Sequence, residues 1–145
     1  MPIPEDDAAF LEAFEAQIIP FEEWSHRAHI RMGFNYLGRH PFDEALQRIR
    51  KGIQALNLVH KTPEALARGY HETLTVAWAR VVASTIAAHG PFKDSNDFCD
   101  RNPHLLQRTL MRVFYSQGRL FSPEAKRSFV EPDLAPLPRP PSGVQ

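Results

Sequence analysis

The sequence predicts an all-α fold, a single-domain helical bundle of about five to six helices with an extended Pro-rich C-terminal tail. Three observations predict it. Apolar residues recur at helical spacing in one stretch after another, those stretches are bounded by caps, prolines and Gly-Pro breaks, and no stretch alternates with the period of a strand. The 145 residues, 43% apolar and 23% charged, suit one domain (1–145) able to bury a core.

In chain order, Glu5-Asp6-Asp7 supplies an acidic start for a short helix whose Phe10, Leu11 and Phe14 face inward, and Pro20 marks its end. A second helix is expected from Glu22 to Gly38. Gly38-Arg39-His40-Pro41 reads as a stop and a restart, and the third helix runs to about His60 with Ala45, Leu46, Ile49, Ile53 and Leu56 as its apolar stripe. Arg50 and Asn57 sit on the edge of that stripe, where Arg50 either snorkels to water or reaches into a cavity as a fixed cation. Thr62-Pro63-Glu64, a cap followed by proline and an acid, opens a fourth helix that continues to His89, before Gly90-Pro91. It is apolar nearly all round from Val76 to Ala88, which assigns it to the centre.

Beyond Pro91 come a short helical turn around Phe98, an amphipathic helix starting at Asn102-Pro103, and a last short helix capped by Ser122-Pro123-Glu124. The tail, 131–145, is too rich in proline for a helix, and Leu134 and Leu137 are expected to dock its first half onto the body.

The second helix carries the most informative pattern. Wound at about 100° per residue, it places Glu22, His26, His29 and Gly33 within roughly 60° of one another, with apolar residues on both flanks of that stripe. Arg27, Arg31 and Asn35 fall on the opposite side. His71 lies between Leu74, Trp78 and Val82 on the apolar arc of the fourth helix, so it too faces inward, whereas Glu72 points about 100° away. Burying several imidazoles is costly unless each is bonded, and three together point to a site. His40, His60, His89 and His104 lie near helix ends and read as surface or capping residues. Trp24, Tyr36, Trp78 and Phe114 read as core packing.

Histidines at i and i+3 of one helix, joined by a third from a facing helix, can hold one ion, so His26, His29 and His71 are the expected metal ligands. A carboxylate from Glu22 or Glu72 in place of one imidazole would suit iron and oxygenase chemistry. Three imidazoles with a water would suit zinc and a hydrolase or lyase. Tyr70 and Glu72 are candidates for proton transfer, and Arg50 for anchoring substrate.

Composition excludes other classes. Seventeen basic residues balance seventeen acidic ones, which disfavours nucleic acid and acidic membrane surfaces as partners. Cys99 is the one cysteine, so there is no disulfide framework, and the N-terminus lacks the basic and apolar regions of a signal peptide. The expected location is the cytoplasm. No nucleotide or flavin signature, phosphate loop, nucleophile elbow, metalloprotease motif or second Glu-x-x-His copy is present.

Trp24-x-His26-Arg27-x-His29-Ile30, Tyr70-His71-Glu72-Thr73-Leu74-Thr75 and Phe129-Val130-x-Pro132-Asp133-Leu134-x-Pro136-Leu137-Pro138 resemble a group of small uncharacterised bacterial helical proteins. The resemblance spans most of the chain and brings no established reaction, substrate or metal. It implies that the tail belongs to the domain.

The leading expectation is therefore a small metal-dependent enzyme acting on a small-molecule substrate, with a histidine-ligated iron or zinc ion in the bundle. The alternative is a non-enzymatic binding or interaction module, a homodimer in one form, whose histidines make a buried hydrogen-bond network.

Overall fold

The computed structural model describes residues 2–140, and helices with no strand make up the regular structure among them. The elements are α1 (Asp7–Glu15), α2 (His26–Arg39), α3 (Phe42–His60), α4 (Glu72–His89), α5 (Ser95–Arg101), α6 (Gln117–Leu120) and α7 (Pro123–Arg127). Short 3-10 segments at Phe21–Glu23, Pro103–Leu106 and Arg108–Val113 connect them.

The chain forms these elements largely for local reasons. Asp6, Ser25, Asp94, Ser116 and Ser122 each cap a helix by accepting the backbone N–H three residues on. Lys61, left-handed at φ 56°, ends α3.

Helix α2 is the partition of the molecule. Its Ala28, Met32 and Tyr36 join Phe10, Phe14, Ile19, Ala45, Ile49 and Leu56 in one core, built with α1 and α3. Its Ile30 joins the other, made with α4, Phe98, Leu105, Met111, Tyr115 and the C-terminal segments. The described part of the tail docks on the body, with Asp133 bonded to Ser116, the Leu134 amide to the Phe114 carbonyl, and Pro138 to α4. Leu137 is buried and Arg80 donates from Nε to the Pro138 carbonyl at 2.8 Å, while Leu134 stays exposed.

Four local expectations need correction. The second helix does not start at Glu22: the Phe21–Glu23 turn is separate and exposed at Glu22, and Ser25 caps a helix that begins at His26. The fourth helix starts at Glu72 rather than at Thr62. Gly69 at φ 83° interrupts the backbone, and the acid that looked like a first-turn residue, Glu64, instead accepts from Lys126 and from the Tyr70 amide.

Arg31 and Asn35 do not face water but are 3% and 2% exposed. Arg31 spends its guanidinium on the carbonyls of Pro4 and Glu5, on Ser95 and on Asp7, and so ties α1 and α5 to α2. The segment after Asn102 forms two 3-10 turns in place of an amphipathic α-helix, with Leu105 and Met111 as its buried anchors and Val113 exposed.

Candidate functional site

A cavity of about 490 Å³ opens between α2, α3 and α4. Its size falls in the range of small-molecule sites. His26, His29 and Gly33 from α2, Ile49, Ile53, Asn57 and His60 from α3, and His71, Leu74 and Trp78 from the start of α4 contribute to its wall. Trp24 and Arg108 also face it.

The stripe read from the sequence thus brings His26, His29 and Gly33 to one cavity, and the same ring of residues includes His71. Gly33 is buried, yet a β-carbon built on it would meet only Leu37 Cδ1, at 3.9 Å. The helix presents open space there rather than a packed neighbour.

The hydrogen bonds fix the state of each imidazole, because a carbonyl oxygen only accepts and the nitrogen facing it must carry the proton. His26 Nε2 donates to the Leu105 carbonyl at 2.9 Å, and His29 Nδ1 donates to the Ser25 carbonyl at 2.7 Å. His60 Nε2 donates to the Ile19 carbonyl at 2.7 Å. Among the described residues, His26 Nδ1, His29 Nε2 and His60 Nδ1 have no protein partner, and His60 Nδ1 is fully buried. Each ring therefore keeps one bare lone pair.

His71 differs. Its Nε2 donates to the Leu120 carbonyl at 2.8 Å and its Nδ1 accepts the Leu74 amide at 3.1 Å, so both nitrogens are committed and the side chain is the N-cap of α4.

Burial holds these rings neutral. Desolvation pushes the His29 pKa down to about 4, against the hydrogen bond to Ser25, with smaller contributions from His26 and Arg108. Desolvation likewise lowers His26, helped by Arg108, and lowers His71, helped by Lys126. Trp24 lies 4.0 Å from His29 and Trp78 lies 4.8 Å from His26, ring centre to ring centre. Each of these two imidazoles therefore packs against an indole.

Tyr70, Glu72 and Arg50 form a separate closed network. Arg50 Nε and Nη2 bond the two Glu72 carboxylate oxygens at 3.0 and 2.6 Å, and the Tyr70 hydroxyl donates to Glu72 Oε1 at 2.6 Å. Burial raises the Glu72 pKa, but the bonds from Arg50 and Tyr70 outweigh it and leave the carboxyl below its ordinary value. Burial and the bond to Glu72 raise the Tyr70 hydroxyl to about 12. Arg50 and Glu72 face a second depression beside Lys126 and Phe129, and only Tyr70 of the three lines the cavity.

The metal set expected from the sequence needs three lone pairs directed at one point. His71 has none to give without uncapping α4, Glu22 lies exposed on a separate turn, and Glu72 is bonded to Arg50 and Tyr70. Among the described residues, no group of three or more His, Cys, Asp or Glu side chains is placed to hold an ion. So placed, His71 is committed to its cap, which leaves His26 and His29 as the two of the three expected imidazoles with a free nitrogen on the cavity wall.

His60 and Arg108 were missed. His60 extends the row Ile49–Ile53–Asn57 by one more turn of α3, a signal that its position at the helix end masked. Arg108 carried no signal, since its segment reads as an amphipathic α-helix and folds as 3-10 turns. No protein-family model matches the chain, and neither a curated protein nor a solved structure matches it.

Proposed function

We propose that the protein binds a small, largely apolar molecule in this cavity and orients it by a hydrogen bond from the ligand to an imidazole lone pair, His29 Nε2 foremost. The observation that carries the reading is the set of bare nitrogens in a largely apolar wall. His60 Nδ1 is buried without a partner, which costs free energy that a ligand O–H or N–H would remove, and the free nitrogens of His26 and His29 are open to the same kind of donor. A ring held neutral down to about pH 4 is a steady acceptor and a weak base. Recognition therefore fits His29 better than proton abstraction at neutral pH.

The aromatic and aliphatic residues of the wall suit a ring, so para-hydroxyphenylpropanamide and phenylpropanamide are suitable probes. Calorimetric titration should show the phenol binding roughly tenfold tighter than the unsubstituted ring, as expected when one buried hydrogen bond is made or missed. His29→Phe should erase that difference. Gly33→Leu, which projects a side chain into the open space, should abolish binding of both. Equal affinities in the parent protein would remove the role of the imidazole. Full binding by the Gly33→Leu protein would remove the cavity.

A further inference from the structure

Among the residues lining the cavity, Arg108 is the one that carries a full charge, and no Asp or Glu lines the wall with it. It stands exposed at the start of the 3-10 turn that follows Leu105, whose carbonyl holds His26. Its guanidinium makes no hydrogen bond or ion pair with another described residue, unlike Arg27, Arg31, Arg50 and Arg80, which are all bonded to protein acceptors. From its place on the wall, its charge reaches both His26 and His29.

We infer that the ligand of this cavity is an apolar carboxylic acid, with its carboxylate at Arg108 and its body between Trp24 and Trp78. The inference rests on the cavity being a binding site and adds the charge of what it binds. A guanidinium offers paired donors matched to the two oxygens of a carboxylate, and a wall without acids imposes no repulsion on an anion. A cationic ligand would meet Arg108 with no carboxylate to offset it. A neutral one would leave the guanidinium to water.

The same cavity then reads as a two-point receptor. A hydroxyl or N–H on the apolar body bonds an imidazole lone pair, and the carboxylate at the other end of the molecule bonds Arg108. The two contacts are made by different groups of the ligand and are separable by experiment.

The test compares para-hydroxyphenylpropanoate with its neutral amide, at neutral pH, by calorimetry. Trp24 and Trp78, the two tryptophans of the chain, both line the cavity, so their fluorescence gives an independent signal. The acid should bind about tenfold tighter than the amide, the scale of one charge-assisted contact at a partly exposed site. In Arg108→Gln the ratio of acid to amide affinity should fall to about one, with circular dichroism confirming that this exposed position leaves the fold intact. Equal binding of acid and amide by the parent protein, or a tenfold ratio that survives Arg108→Gln, overturns the carboxylate while leaving the cavity reading in place. Binding of neither compound overturns both.

Discussion

The Nε2–H of His71 donates to the carbonyl of Leu120 across 2.8 Å, joining the cap of α4 to the end of α6. Because the same ring accepts the Leu74 amide through Nδ1, His71→Ala removes a helix cap and a tertiary bond together. A loss of about 2–4 kcal/mol is expected, measured by urea unfolding. His71→Asn, which can still cap, should recover part of it. A change below about 0.5 kcal/mol for alanine would show that the ring does not act as a structural link.

Acid should unfold the protein through its histidines. His29 has a folded pKa of about 4 against an ordinary 6.5, so the unfolded chain takes up the proton first. The stability this contributes is complete above pH 6.5 and is lost as pH falls toward 4, about 3 kcal/mol in all. His26 and His71 act in the same direction. The cations that oppose protonation are Arg108, beside His26 and His29, and Lys126, beside His71. Unfolding curves followed downward from pH 7 should show this slope, and His29→Gln should flatten it. Stability constant to pH 5 would contradict the neutral, buried state of the ring.

Arg50, Glu72 and Tyr70 should behave as a brace rather than as working groups of the cavity. Glu72→Gln leaves Arg50 without its two-point partner and is expected to cost roughly 1–3 kcal/mol. Tyr70→Phe should cost about 1 kcal/mol. The folded carboxyl sits below its ordinary pKa, so its contribution is full above about pH 4.5 and disappears on further acidification. Affinity for the cavity probe should be unchanged in Glu72→Gln. A large affinity loss at unchanged stability would return Glu72 to the site.

Two helix-interior glycines should respond in opposite directions to alanine. At Gly33 a methyl group enters open space and gains helix propensity, so Gly33→Ala should stabilise by about 0.5–1 kcal/mol. At Gly52 the new methyl would land on the ring of Phe14, which is 1% exposed at the base of α1. Gly52→Ala should therefore destabilise by about 1–3 kcal/mol. Thermal midpoints of the two variants moving the same way would contradict the cavity beside α2.

What was legible in the sequence was the helical period, and it carried the site further than its chemistry. The inward faces of Phe10, Leu11 and Phe14 and of Ala45, Ile49 and Leu56 followed from spacing alone, as did the stripe of His26, His29 and Gly33. Local signals misled where a tertiary partner used the residue differently. Thr62-Pro63-Glu64 has the composition of a helix start, but Glu64 is drawn to Lys126 and Gly69 breaks the chain before Glu72. Arg31 looked like a solvent residue because charge is usually exposed, and four partners from the N-terminal segment, α1 and α5 overrode that. The roles of His71 and Glu72 depended on Leu120 and Arg50, which lie far away in sequence. No periodicity encodes such a pairing.

The first turn of α4 has a consequence for synthesis. Thr73 Oγ1 donates to the Ser128 carbonyl at 3.1 Å and accepts the Val130 amide at 3.1 Å, while Arg80 further along the helix waits for Pro138. A ribosome delivers α1 to α4 well before any of these partners. The nascent chain thus holds open polar groups and uncovered apolar surface on its most apolar helix until residues 128–138 emerge. A chain stalled near residue 120 would present that surface to chaperones and proteases, since the segment that covers it at Thr73 and Arg80 would not yet be made.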